Sequence, residues 1–294
     1  MTWRALFGSI AGQLSKAGCE DPAFDARCLL EDVGGVPRGR LEAYFGREVP
    51  ETSAVAVRRA ADERAAGRPL QYILGSWDFL DMTLSVGEGV LIPRPDTELL
   101  CETAAVWLKR LPAEDHRVLD LCAGTGCVGL GIAGLCPDAV VTAVELSPEA
   151  FVYLEENCRR YPERRVTPVR ADMLADAGKI PGSFAALVSN PPYIPSADLS
   201  GLMREVQYEP RMALDGGDGL RFCQRSVRAD CARWRSESAR RRRSQHCLFR
   251  AGCMPYKFIR MPLELTVWLR EKNRWRTHVR FFRESGCFFA DCQV

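Results

Sequence analysis

Between residues 117 and 190 short apolar runs alternate with helix-length stretches, and that alternation leaves few folds open to the chain. Strands are predicted at RVLDL (117–121), AVVTAVE (139–145), RVTPVRA (165–171) and FAALVSN (184–190), with helices over 127–135 and 148–160. Ser147-Pro148, a capping residue followed by a first-turn proline, marks where the second helix begins. Strands that alternate with crossover helices form a parallel sheet, and such sheets bind ligands at the carboxyl ends of their strands. The chemistry is therefore expected just after residues 121, 145, 171 and 190.

The first seventy residues read as short helices. Trp3, Leu6, Phe7, Ile10 and Leu14 recur at helical spacing, and Gly18 can close that helix. Asp21-Pro22 starts another, and Arg58 to Ala66 is a run of helix formers that ends at Gly67. From Gly75 the period changes to two, with Met82, Leu84 and Val86 alternating with polar neighbours as in a half-exposed strand. The stretch VLIPRPDTELL (90–100) is read as a strand entering a proline corner, after which Asp96 or Thr97 opens a helix. Residues 1–74, 75–114, 115–222 and 223–294 are thus expected to be a helical domain, a hairpin linker with its helix, a ligand-binding core and an atypical tail.

Composition excludes several classes of function. The apolar runs fall short of the ~20 residues a membrane helix requires, and the N-terminus lacks the charged leader and apolar block of a signal peptide. Thirteen cysteines make no CxxC pair and three histidines (His116, His246, His278) are scattered, so no metal site is expected and the thiols are read as reduced, in the cytoplasm.

Asp120 to Gly129 (DLCAGTGCVG) follows the first of these strands and opens a helix, with glycines at 124, 126 and 129 in a GxGxxG pattern. Glycine lets the backbone approach a ligand closely, and Glu145, ending the next strand, can accept two ribose hydroxyls. Asp120 would sit poorly beside a pyrophosphate but suits the ammonium of a methionine moiety. The pattern V-L-D-L-x-x-G-T-G resembles the cofactor loop of class I methyltransferases, with Cys122 where glycine is common there. That resemblance implies S-adenosylmethionine as cofactor, with Asp172 and Met173 holding its adenine.

The segment VSNPPYIP (188–195) ends the fourth strand at the same rim. Asn190 precedes a proline and is pushed to extended backbone, while Pro191 and Pro192 have fixed φ and no N–H. A planar NH₂ can give one hydrogen to the Asn190 side-chain oxygen and the other to the Pro191 carbonyl, with Tyr193 packed on its plane. Held so beside an electrophilic methyl group, the nitrogen needs placement and exclusion of water more than a strong base. Such motifs serve enzymes that methylate adenine in DNA, guanine in ribosomal RNA, or glutamine.

Five blocks in order narrow that choice: RPLQYILGSWDF (68–79), VLIPRPDTELL (90–100), LDLCAGTGCVGL (119–130), VSNPPYIP (188–195) and YEPRMALDGGDGL (208–220). Residues 1 to about 222 resemble the peptide chain release factor glutamine N5-methyltransferase family. The resemblance implies an α/β fold with a Rossmann-like class I sheet and a small N-terminal helical domain joined to it by a β-hairpin. Its implied partner is the GGQ loop of release factors. Cys122, Ala123, Gly124, Thr125, Gly126, Glu145, Met173 and Asn190 would contact S-adenosylmethionine. Asn190, Pro191, Pro192 and Tyr193 would hold the glutamine, with Arg94 and Glu98 near it.

Charge divides the chain. Residues 1–222 hold 23 Lys and Arg against 32 Asp and Glu, whereas residues 223–294 hold 17 against 6, including 15 arginines. An acidic body suits a protein partner better than a polyanion. The tail has two readings, an arginine cluster that binds RNA or a frame-shifted translation of a GC-rich gene. The composition favours the second, with disruption of the C-terminal strands expected.

Overall fold

The structure, a computed structural model, describes residues 1–173, 175–176, 180 and 184–218, together with the backbone of strands 265–271, 274–283 and 286–293. The chain divides into two compact units: Met1–Trp77 with Val86–Glu88 and Ser200–Glu209, and Asp78–Ser85 with Gly89–Leu199 and Pro210–Val294.

The first unit is helical. Helix α1 (Trp3–Lys16) buries Trp3, Leu6, Ile10 and Leu14, the stripe its spacing predicts. Asp21 caps α2 (Pro22–Cys28), its Oδ1 accepting the Phe24 N–H at 3.0 Å. The short α3 (Leu41–Tyr44) and α5 (Leu70–Leu74) flank α4 (Glu51–Ala65), which begins a full two turns before the run of helix formers at Arg58. On α4, Arg64 is buried with its charge matched twice: Nε donates to Asp25 Oδ2 at 2.7 Å, and Nη2 meets Glu205 Oε1 at 2.6 Å. The excursion Ser200–Glu209, far along the chain, is thereby held within this unit.

The strands β1 (Ser76–Phe79) and β2 (Met82–Ser85) form a two-stranded sheet around Leu80-Asp81, with Leu80 in the left-handed region at φ 52°. Residues 86–95 carry no strand, contrary to the reading of VLIP; two prolines within three residues remove the N–H groups that a ladder requires. Val90 and Ile92 are nevertheless buried, which accounts for their apolar character. Helix α6 (Asp96–Leu108) begins where expected.

The second unit is built on a seven-stranded sheet. Its parallel part comprises β3 (Arg117–Leu121), β4 (Val140–Glu145), β5 (Val166–Arg170) and β6 (Ala186–Ser189), connected in part through α7 (Cys127–Leu135) and α8 (Pro148–Arg160). Strand β4 lies on one side of β3 and β6 on the other. The order reverses at β3, and crevices at such reversals, outside the carboxyl ends of the strands, are where ligands bind.

Strands β7 (Ile194–Pro195) and β8 (Asp215–Gly217) pair in a small separate sheet, with α9 (Arg211–Leu214) leading into β8. Strands β9 (Leu265–Glu271), β10 (Arg274–Arg283) and β11 (Gly286–Gln293) continue the large sheet antiparallel beyond β6, giving the order β11-β10-β9-β6-β3-β4-β5. The expected disruption of the C-terminal strands is thus corrected at the level of the backbone. The tail's arginines are interleaved with Leu, Val, Trp, Thr and Phe, which favour extended structure. The Arg-rich run at 240–243 lies outside the described residues.

Candidate active site

Strand β3 delivers the chain into a tight loop in which Cys122 (φ 57°), Gly124 (φ 55°) and Gly126 (φ 82°) all occupy the left-handed region. Gly126 must be glycine for a second reason, because a Cβ there would lie 2.7 Å from Leu154 Cδ1 on α8. Gly129 brings α7 against the sheet, where a Cβ would stand 3.1 Å from Val141 and 3.2 Å from Asp120 Oδ2. The first glycine therefore shapes the loop, and the other two allow close packing.

Glu145, at the end of β4, ties this loop down. Its Oε2 accepts the Gly124 N–H at 2.8 Å, and its Oε1 accepts the Leu146 and Ser147 N–H groups, both at 2.8 Å. Oε1 thus has both lone pairs engaged, and Oε2 keeps acceptor capacity in the residue that lines the cavity. Asn157, wholly buried on α8, supports the loop from below: its Nδ2 donates to the Thr125 carbonyl at 3.0 Å and to the Ser85 carbonyl at 3.1 Å. Sequence reasoning missed it. The signal was there, since Asn157 continues the buried stripe of Ala150 and Leu154 at helical spacing.

A cavity of about 260 Å³ opens at this rim. Cys122, Ala123, Gly124 and Thr125 line it from β3, Glu145 from β4, Asp172 and Met173 from β5, and Asn190 and Pro192 from β6. The structure thus brings together the two segments on which the sequence reading depends, the glycine loop and the asparagine of NPPY. Cys122 Sγ lies 3.4 Å from Met173 Sδ, which makes one wall soft and apolar. The Cys127 thiol, also on the lining, is pushed by burial up to about 12 and stays protonated.

Asn190 is tied to the start of α6. Its Nδ2 donates to Thr97 Oγ1 at 3.4 Å, while its buried Oδ1 has no hydrogen-bond partner within the described residues. A buried acceptor without a donor is costly, so such an atom marks a place where a ligand N–H would be welcome. Pro210, Met212 and Ala213, from the YEPRMALDGG block, close another side. The double glycine of that block has a steric cause: a Cβ on Gly216 would fall 2.7 Å from Tyr193 Cα.

Several expected residues are placed differently. Asp120 is fully buried and does not line the cavity; strand alternation turns its carboxylate toward α7, where Oδ2 accepts the Gly129 N–H at 3.0 Å. Burial raises it to about 8, so it is no ready partner for an ammonium group. Gly126, Pro191 and Tyr193 also lie off the lining. Of the pair expected near the glutamine, Arg94 in the proline corner lines the cavity and Glu98 on α6 does not, its Oε1 accepting the Leu80 N–H at 3.0 Å. Thr97, unremarked in the sequence, lines it instead. No cluster of three or more metal-binding side chains occurs among the described residues.

Two family models match the chain: the PrmC N-terminal domain over residues 6–75 and the methyltransferase small domain over residues 99–216. Among similar proteins, the release factor glutamine methyltransferase of Moorella thermoacetica is 40% identical over 223 residues, 75% of this chain and 77% of that one. Those of Bifidobacterium longum (34% over 77% of this chain and 81% of the relative) and Geobacter sulfurreducens (39% over 75% and 76%) bear the same name. The chain belongs to the release factor glutamine methyltransferase family.

Proposed function

We propose that this protein transfers a methyl group from S-adenosylmethionine to the side-chain amide nitrogen (N5) of the glutamine in the GGQ motif of peptide chain release factors. The observation that carries the chemistry is the buried, unpartnered Oδ1 of Asn190 in the same cavity as the glycine loop and Glu145. The names of the relatives supply the identity of the acceptor.

The residues present suit the cofactor. Glu145 Oε2 offers its remaining lone pair to a ribose hydroxyl, the Cys122–Thr125 backbone admits close approach, and Met173 and Asp172 offer an apolar face and an acceptor to adenine. When bound, S-adenosylmethionine supplies an electrophilic methyl carbon on a positively charged sulfur.

Toward the glutamine, Asn190 Oδ1 accepts one N–H, and the carbonyl of Pro191, between two lining residues, accepts the other. Two acceptors in the plane of the amide leave its nitrogen free to meet the methyl carbon from the perpendicular direction. Positive charge that developed on the glutamine nitrogen as it took up the methyl group would strengthen both hydrogen bonds, so Asn190 and the Pro191 carbonyl would bind the transition state better than the substrate. One N–H proton then leaves to solvent. The acceleration comes from alignment at near-attack distance rather than from a strong base. Residues 1–74 would present the release factor, in the cytoplasm where translation ends. No helix among the described residues is long and apolar enough to cross a membrane.

The test is transfer of labelled methyl to a purified release factor, with a GGA substrate and Asn190→Ala enzyme as controls. Label on the GGQ glutamine, lost in both controls, is expected. Label in DNA or ribosomal RNA instead would assign the site to nucleobases and overturn the reading.

A further inference from the structure

Prolines fix φ but have no N–H by which to be tied down, so Pro191 and Pro192 stand where the two ends of their segment put them. The upstream end is secured in the large sheet. Ser189 pairs with Leu121 in the β6–β3 ladder, and its Oγ–H donates to the Leu121 carbonyl at 2.8 Å. The downstream ladder is slighter. Strand β7 is two residues long, its second residue is Pro195, and its register against β8 shifts between the two. Ser196 makes the attachment there. Its N–H donates to the Gly217 carbonyl at 3.0 Å, and its hydroxyl to Asp215 Oδ1 at 2.5 Å, with the Gly217 carbonyl farther off at 3.3 Å. A carboxylate only accepts, so the direction of the bond to Asp215 is set by chemistry.

Asp215 gathers further contacts. Its Oδ1 also accepts the Gly217 N–H at 2.9 Å, and its Oδ2 the Nε–H of Arg211 at 3.1 Å. These donors, the Ser196 hydroxyl foremost, hold its carboxyl below the ordinary value. Gly216, next in the chain, lies against the NPPY backbone: a Cβ there would fall 2.7 Å from Tyr193 Cα and 2.9 Å from the Pro192 carbonyl oxygen. Arg211 directly precedes Met212 and Ala213, which line the cavity. One side chain thus joins the exit of the proline segment to the α9 wall.

We propose that Asp215, acting through Ser196, is a positioning residue for methyl transfer: it anchors the downstream end of the NPPY segment and so sets where the Pro191 carbonyl stands beside Asn190. This rests on the reading of the glutamine amide as the methyl acceptor. Neither Asp215 nor Ser196 lines the cavity, so their bond acts on placement and not by contact with cofactor or glutamine.

The experiment measures kcat and KM with a GGQ release factor for wild type, Ser196→Ala, Ser196→Thr, Asp215→Ala and the Ser196→Ala, Asp215→Ala double variant. Calorimetric binding of S-adenosylhomocysteine is measured on each. Ser196→Ala is expected to lower kcat roughly tenfold, the scale of one hydrogen bond to a charged group. Asp215→Ala also releases the Gly217 N–H and should approach a loss of about 10²-fold, what a misplacement of about 1 Å costs. The double variant should be no worse than Asp215→Ala, because both changes break the same bond. Ser196→Thr keeps the hydroxyl and should stay within about twofold of wild type, and every variant should bind S-adenosylhomocysteine as wild type does. Wild-type kcat in Ser196→Ala overturns the proposal, as does an equal loss in Ser196→Thr. Losses that multiply in the double variant, or that are matched by weaker S-adenosylhomocysteine binding, would mean general damage and overturn it too. Should Asp215→Ala fail to fold, the two variants at the exposed Ser196 decide alone. If wild-type enzyme transfers no methyl group to glutamine, the reading of the whole site fails instead, and the two failures are separable.

Discussion

Asn190 and Asp120 lie at the ends of neighbouring strands, yet the structure gives them opposite tasks. Asn190 offers the cavity an acceptor that nothing in the described chain satisfies. Replacing it with alanine is expected to lower kcat by about 10²–10³, the cost of removing one preorganised partner from the reacting group. Affinity for S-adenosylhomocysteine, measured by calorimetry, should change only severalfold, and a matching collapse of cofactor affinity would contradict the assignment. Asp120 is raised from 3.8 to about 8, by burial first and by the charge of Glu145, against the opposing Gly129 N–H. Its native state therefore keeps a proton that the unfolded chain has released at neutral pH. The stability it contributes is full below about pH 4 and is lost as pH rises toward about 8. Asp120→Asn stays neutral throughout and can still accept the Gly129 N–H. Melts of wild type and Asp120→Asn from pH 5 to 8 should diverge, with the variant gaining relative to wild type as pH rises; parallel curves would refute the buried-acid account.

At the scale of elements, the glycine loop is held by packing as much as by hydrogen bonds. Gly126→Ala must place a side chain at φ 82° and 2.7 Å from Leu154 Cδ1. A loss of about 1–3 kcal/mol is expected in denaturant melts, together with weaker cofactor binding. A midpoint unchanged from wild type would show that α8 yields more readily than its buried Leu154 implies. The glycines, Glu145 and the helix starts at Pro22, Asp96 and Pro148 were legible in the sequence because each rests on local backbone chemistry. Asp120 and Glu98 were harder to read. Sequence places a residue at the end of a strand or on the first turn of a helix, but register and rotation decide which side faces the ligand, and both carboxylates turned to neighbouring backbone N–H groups. Thr97 and Asn157 escaped notice for a related reason. Each acts through a tertiary hydrogen bond, to a residue 93 positions away for Thr97 and 72 for the Asn157–Ser85 pair. The strands β9 to β11 were obscured by the arginine and cysteine content around them, although extended residues run through the segment.

For the whole molecule, the parallel half of the sheet and the loops at its rim form one crevice, and ligand binding is expected to report on that architecture. S-adenosylhomocysteine at about 100 times its Kd should stabilise the native state by about 2.7 kcal/mol and raise a single cooperative thermal transition. A broad transition indifferent to ligand would mean that this chain does not assemble the crevice. The body of the protein, residues 1–222, carries excess negative charge, while the basic tail lies beyond the matched family model, which ends at residue 216. The most direct test of the central claim is a crystal structure with S-adenosylhomocysteine and a GGQ-containing peptide. The glutamine side-chain nitrogen should lie within hydrogen-bonding distance of Asn190 Oδ1 and face the cofactor sulfur across the Cys122–Thr125 loop. A glutamine bound away from Asn190, or a cofactor seated outside the Glu145 crevice, would contradict it.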